Sequence, residues 1–227
     1  MHTALPAAQV DHLVMISATL DEGVQWCEAT LGRTPGPGGQ HALMGTHNRL
    51  FRIASKRYPL SYFELIAIDP QASAPGRARW FDMDDPALRE LVAGSGPQLA
   101  HFVVRVPDAR AALAALGDLG LNGGEVLQAS RQAPQGLLQW QITVRADGRR
   151  LLHGTLPTLI QWGHTHPAQT MADSGISLQS LTVTHPQPDV LQAAYKAIGL
   201  EGVHVLRGPA RLSARLHTAR GPVELRS

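Results

Sequence analysis

Apolar residues along this chain fall in short runs separated by glycine and proline, and the runs show two periods. The runs Val10–Ile16, Leu50–Ala54, Ser61–Ile68, Leu99–Val106, Leu137–Val144, Leu156–Trp162, Leu178–Thr184 and Leu212–Leu216 are 5 to 8 residues long, which predicts β-strands. A helical period appears over Leu20–Leu31, Asp108–Leu119 and Pro188–Ile198, each closed by a glycine: Gly32, Gly120 and Gly199. Asp21 and Glu22 place acids in the first turn of the first helix, where the helix dipole favours them. A short helix is also predicted near Pro86–Val92.

Two of these strand–helix pairs repeat one another. Leu99 to Pro107 aligns on Leu178 to Pro186, apolar positions and proline in step, and Ala111 to Leu121 aligns on Val190 to Leu200 at the same offset of 79. A constant offset through strand, proline, helix and Gly-Leu marks a structural repeat. Val10 to Gly32 has the same order with looser spacing. Three further strand-like pieces follow each helix, so the unit is β-α-β-β-β. The expected organisation is a first unit over 1–70, a linker over 71–97, a second unit over 98–163, a linker over 164–175 and a degenerate third unit over 176–227.

Composition narrows the class. The 227 residues are 44% hydrophobic and 17% charged, which excludes a disordered chain. Aromatics are only 5%, so the core draws on Leu, Val, Ile and Ala. The formal charge is +2 with no Lys/Arg run, which argues against a nucleic-acid partner. The lone Cys27, beside Trp26 in the first helix, allows no internal disulfide and reads as an apolar filler. Met1 to Val10 lacks a basic-then-apolar leader, and no stretch approaches the ~20 apolar residues of a membrane span. These features lead to the expectation of a cytoplasmic protein. Histidine is abundant, at 11 residues, with His164 and His166 expected as exposed linker residues.

Asp11-His12-Leu-Val opens the first unit and Tyr62-Phe63-Glu64-Leu65-Ile66 closes it. With Gly38-Gly39-Gln-His41 through Thr46-His47-Asn48-Arg49-Leu50, and Leu156-Pro-Thr-Leu-Ile-Gln161-Trp162-Gly163, the chain resembles the vicinal oxygen chelate superfamily of glyoxalase I and extradiol dioxygenases. More narrowly it resembles the glyoxalase-like domain group. The resemblance implies an α+β fold in which tandem βαβββ units close a mixed, cupped sheet with helices outside.

It also implies a site. Ligand slots on the first and last strands of each unit hold His12 and Glu64, then His101 and Gln161. Two imidazoles and a carboxylate suit a divalent metal, Zn, Ni, Fe or Mn, which would act as a Lewis acid; no organic cofactor is implied. A glutamine amide cannot serve as a general base, so Glu64 becomes the candidate catalytic residue. Substrate-binding candidates are His41, Thr46, His47 and Asn48 in the glycine-bounded segment, Arg105 on the strand face of His101, and Gln139 and Gln141. The last two are expected toward the cup, with Leu138, Trp140 and Ile142 toward the helices.

The leading expectation is therefore a small-molecule metalloenzyme of the lyase, isomerase or dioxygenase kind. Gln161 keeps open a metal-free binding protein that holds its ligand by His41, Asn48 and stacking groups. An accessory scaffold is a third alternative. In the third unit Ser180 stands at the position of His101 and Glu224 in the slot of Glu64, which predicts a structural role and a homodimer through that unit's uncovered sheet.

Overall fold

The computed structural model describes residues 8–133 and 136–227; residues 1–7, on which the expectation of no leader partly rests, lie outside it. The first unit comprises β1 (Gln9–Ile16), α1 (Leu20–Leu31), β2 (Gly36–His41), β3 (Thr46–Arg52) and β4 (Tyr62–Ile68). The linker carries α2 (Pro86–Ser95). The second unit comprises β5 (Gln98–Arg105), α3 (Ala109–Gly117), β6 (Glu125–Ala133), β7 (Gly136–Val144) and β8 (Thr158–Trp162). The third comprises β9 (Ser177–His185), α4 (Pro188–Ala197), β10 (Val203–Arg207), β11 (Arg211–Thr218) and β12 (Gly221–Arg226).

Local signals fix the helix ends. Thr19, Asp85 and Asp108 accept backbone N–H bonds at the starts of α1, α2 and α3. Gly32 closes α1 at φ 70°, a left-handed conformation that glycine adopts without a Cβ penalty.

The first two units form one eight-stranded sheet in the order β2-β3-β4-β1-β5-β8-β7-β6. Strands β1 and β4 are parallel, as are β5 and β8, and β1 meets β5 antiparallel. Their register puts Leu13 opposite Phe102, so the units are related by an approximate two-fold axis there. This is the α+β architecture the resemblance implies, a nearly closed cup with helices outside.

The two faces of the sheet bury separate cores. Leu13, Met15, Phe63, Leu65, Phe102, Val104 and Leu159 face outward to α1 and α3. Val14, Ile16, Ile66, Val103, Ile142 and Ile160 face the cup, where Trp80, Phe81 and Met83 of the linker pack on them. The linker therefore fills part of the cup. Phe81 and Asp82 reach it with φ 59° each, a left-handed conformation costing roughly 1–2 kcal/mol per non-glycine residue. Arg150 holds the turn, its N and Nε donating to the Asp82 carboxylate at 3.0 and 2.7 Å, while Asp82 N donates to Gly148 O at 3.0 Å.

The third unit keeps the β-α-β-β-β order but pairs as β10-β9-β11-β12. Strand β10 lies parallel beside β9, whereas β2 and β6 sit at the sheet's far edges. Strand β11 separates β12 from β9, with Arg215 opposite both Ser180 and Glu224. The expected equivalence of Glu224 with Glu64 is thus corrected: Glu224 is not on the neighbouring strand, and its carboxylate accepts bonds from Ser213 and Arg226. Leu178, Leu181, Val183, Leu212, Ala214 and Leu216 join the outer core, so the apolar face that suggested a homodimer is covered within the chain. Tyr58 fastens the unit, donating to Gly202 O at 2.6 Å and accepting from Leu181 N at 3.1 Å. No helix among the described residues is long and apolar enough to cross a membrane.

Candidate functional site

In a regular strand Asp11 and His12 would point to opposite faces. The pairing with β5 slips here, however: Val10 is opposite Val104 and His12 opposite Val103, leaving Asp11 as the extra residue of a β-bulge. A bulge re-aims a side chain, and both residues serve the cup. The Asp11 carboxylate is fully buried and accepts from His12 Nδ1 at 2.7 Å, His166 Nε2 at 2.9 Å and Trp162 Nε1 at 3.0 Å. Ala168 N donates to His166 Nδ1 at 3.1 Å, which fixes the tautomer that leaves Nε2–H for Asp11. His166 is therefore buried structure, not the exposed linker histidine expected.

The other side of His12 faces Glu64, with Nε2 3.4 Å from Oε2. The Glu64 Oε1 accepts from Asn48 Nδ2 at 2.6 Å and lies 4.0 Å from His41 Nε2. His41 is held through Nδ1 by Thr46 Oγ1 at 3.0 Å. The structure thus brings together His12, His41, Thr46, Asn48 and Glu64, all predicted, around a buried Asp11–His12–Glu64 row.

Electrostatics follow from this packing. Burial works against the His12 cation, but hydrogen bonds and charge from Asp11 and Glu64 outweigh it and raise the group from 6.5 to about 9. Burial would raise Asp11 and Glu64, yet bonds to His12, with His166 for Asp11 and Asn48 for Glu64, hold both below the usual carboxylate range. His41 is pushed down to about 4, chiefly by burial, which outweighs the pull of Glu64, with the charges of Arg131 and His12 adding to the fall. The row at neutral pH is an imidazolium between two carboxylates.

Aromatic walls surround it. His12 stacks on Tyr62 at 4.5 Å, and Trp80, Phe81, Trp140 and Trp162 complete the lining with Arg131. Burial and the charges of Asp11 and Glu64 keep the Tyr62 phenol protonated well above its usual range. The recess beside Glu64 holds about 30 Å³, room for one water-sized group.

The second unit repeats the geometry and not the chemistry. Ala100 is the extra residue of a matching bulge, and His101 takes the place of His12. Thr158 N donates to His101 Nε2 at 3.1 Å, so Nδ1–H donates to Gly154 O at 3.1 Å. Both ring nitrogens are therefore engaged. Burial and the charge of Arg150 push the imidazole down to about 3 despite the Gly154 bond. Phe81 packs on it at 5.2 Å.

Several predicted positions need correction. Strand β8 pairs Thr158 with Val103, as β4 pairs Glu64 with Val14, so Thr158 and not Gln161 fills the second carboxylate slot. Gln161 lies on the helix side, where its Oε1 accepts from Ala109 N at 2.9 Å at the start of α3. Trp140 and Ile142 face the cup, so Gln139 and Gln141 point away from it, the reverse of the expectation. His47 alternates away from Asn48 and stands 3.9 Å from Asp69. Arg105 shares the face of His101, but Nη2 donates to Gln9 and the residue does not line the recess. The four residues expected to hold a divalent metal are consequently split between two faces and two bonding states, and they do not fit that group. Among the described residues, no three or more His, Cys, Asp or Glu side chains are gathered as a metal requires. Cys27 is buried and pushed up to about 12, chiefly by burial, which fits its expected filler role.

Sequence reasoning missed Asp11, Tyr62, Trp80, Phe81, Arg131 and His166 as site residues. The usable signal was aromatic: three of the four tryptophans, Trp80, Trp140 and Trp162, meet here.

Paired βαβββ units closing one cup, with a histidine on each central strand, define the vicinal oxygen chelate class. The family profile for the glyoxalase-like domain matches residues 10–199, and the chain belongs to that family. The matched span includes the linker and the start of the third unit. A hypothetical protein from Staphylococcus aureus is similar in structure, with a TM-score of 0.59 and 16% identity over 97% of this chain and 85% of that one. A Streptomyces coelicolor methylmalonyl-CoA epimerase in complex with 2-nitronate-propionyl-CoA aligns at a TM-score of 0.44 and 20% identity, covering 71% of this chain and 99% of that one. The methylmalonyl-CoA epimerase from Mycobacterium tuberculosis aligns at 0.38 and 16%, over 68% and 86%. No curated protein matches the chain.

Proposed function

We propose that the chain is a small-molecule enzyme working from its first unit alone, by proton transfer between Glu64 and a carbonyl substrate, without a bridging metal. The observation that carries this is the buried Asp11–His12–Glu64 row, with contacts of 2.7 and 3.4 Å in an aromatic-walled recess. An ionised Glu64 accepts a proton from the carbon next to a carbonyl. The His12 imidazolium, fixed from behind by Asp11, donates Nε2–H to the oxygen where negative charge develops. Asn48 orients Glu64, and the ~30 Å³ recess admits only the reacting group. Isomerase and lyase chemistry both begin with this step.

The test is exchange of the substrate's α-protons in D2O, followed by NMR, with phenylpyruvate and phenylacetone as probes. Wild type accelerates exchange, and Glu64→Gln lowers the enzyme-dependent rate by roughly 10²–10⁴-fold while ligand still binds. Binding without exchange in wild type overturns the catalytic reading in favour of a sequestering protein. Exchange that appears only with added zinc, nickel, iron or manganese overturns the metal-independent part.

A further inference from the structure

A second, larger cleft opens beside the recess. It holds about 620 Å³ and shares Leu50, Arg131 and Pro167 with the lining around Glu64. Its remaining walls include Phe51, Met171 and Arg33. The two volumes are complementary. One is a slot for a single reacting group, and the other is within the few hundred Å³ that small-ligand clefts occupy.

The cleft is cationic, and its charges are not spent on the protein. Arg131 donates through Nη1 to Gly38 O at 2.9 Å, and a carbonyl leaves its charge uncompensated. Arg33 comes at the end of α1, and its buried Nε has no hydrogen-bond partner. Neither guanidinium stands within ion-pair distance of a carboxylate among the described residues, although Arg77, Arg79, Arg145 and Arg150 all do. A guanidinium presents a planar fork of donors that matches carboxylate and phosphate oxygens. Two of them in an apolar-walled cleft call for an anion attached to an apolar body.

We infer that the substrate is a small organic anion. Its carbonyl enters the recess at Glu64 and His12, its apolar body lies along Leu50, Phe51 and Met171, and its carboxylate or phosphate is held between Arg33 and Arg131. This assignment rests on the proposed function of the same site. It adds a charge requirement that proton transfer at Glu64 does not itself impose.

Phenylpyruvate and phenylacetone test it, because they share a phenyl ring and a ketone and differ in the carboxylate. Binding is read by quenching of Trp80, Trp140 and Trp162. Phenylpyruvate is expected to bind at least roughly tenfold more tightly, the scale of one charge-assisted hydrogen bond. The preference falls about tenfold in Arg33→Gln and weakens as salt rises. Arg131→Gln acts the same way, and Arg33→Gln keeps the test valid where loss of the Gly38 contact disturbs folding. Phenyl phosphate in competition separates the two anion sources: the tighter competitor names the headgroup, and either result supports the inference. Equal binding of the two ketones, or an anion preference unchanged in Arg33→Gln, overturns it. Equal binding together with Glu64-dependent exchange sinks the anion requirement and leaves the proton-transfer reading standing. Arginine-dependent binding of phenylpyruvate without exchange does the reverse.

Discussion

The two halves of the cup carry the same backbone and opposite chemistry. Leu13 and Phe102 sit opposite each other at the centre, each half has one bulge, and each bulge delivers one histidine. In the first half the residue beside the histidine is Asp11, in the second it is Ala100. On the parallel strand, the slot opposite the residue two beyond the histidine, Val14 or Val103, holds Glu64 in one half and Thr158 in the other. His12 gains two carboxylates and is held charged, whereas His101, buried beside Arg150 with no carboxylate partner, is held neutral. The linker then covers the neutral half with Phe81. A duplicated scaffold here supplies one reactive site and one stabilising plug, because register is set by backbone pairing while charge is set by single side chains.

The sharpest way to break this comparison is to treat both halves alike. Glu64→Gln is expected to lower α-proton exchange by roughly 10²–10⁴-fold, far beyond what its loss of an anion beside His12 costs in folded protein. His101→Gln is expected to do the opposite. It leaves the Gly154 carbonyl or the Thr158 amide short of its partner, at a cost of roughly 1–3 kcal/mol, and it spares exchange. Exchange lost equally in both variants would mean that the second half takes part in the chemistry.

Phe81→Ala probes the plug. A buried phenylalanine truncated to alanine costs about 3–5 kcal/mol. For a chain of this size each kcal/mol moves the melting temperature by roughly 2–4 °C, so calorimetry should show a fall near 10 °C. An unchanged melting temperature would mean that the linker contributes little to filling the cup.

Asp11→Asn is smaller in effect and more specific. It removes one anion from His12, and its single amide oxygen can accept either from His12 or from the pair His166 and Trp162, which share one oxygen of the carboxylate, but not from all three. The His12 resonance in NMR titration is expected to move down by at least about one pH unit. Ala100→Asn, which places the same amide at the matching bulge beside the neutral His101, should leave the His12 resonance in place.

Much of this contrast was legible and some was not, for physical reasons. The constant offset exposed the repeat, and the resemblance to glyoxalase-like domains pointed to His12 and Glu64 on the first and last strands of a unit. Asp11 was hidden because a period of two places it opposite His12, and only the bulge brings both to the cup. The facing of β7 was misjudged because the cup side is itself apolar, packed by Trp80 and Phe81. The alternation of Gln139 and Gln141 with Leu138, Trp140 and Ile142 is plain, but alternation alone does not say which face is the cup. Gln161 was placed in a ligand slot because the length of the segment before β8 does not reveal its register. The third unit repeats in sequence through β9 and α4, but which strand β10 joins is a long-range choice that the repeat does not encode.

The smallest effect separates the halves by sign. His12 binds its proton more tightly folded than unfolded, being raised from 6.5 to about 9. Its contribution to stability is fully present below pH 6.5 and is lost as pH rises through about 9. His101 is lowered from 6.5 to about 3. The unfolded chain takes up that proton first as pH falls, so its contribution is present above 6.5 and is lost between there and 3. Each slope approaches one proton, about 1.4 kcal/mol per pH unit. Asp11 and Glu64, held low, steepen the acid side only below their unfolded values of 3.8 and 4.5. The pH window from 4.5 to 6.5 is therefore shared by His101 and the similarly lowered His41, and 6.5 to 9 belongs to His12. Urea unfolding across pH should show His12→Gln flattening the alkaline limb and His101→Gln flattening part of the acid limb. If either variant flattened the other's limb, the assignment of charge to one half and neutrality to the other would be wrong.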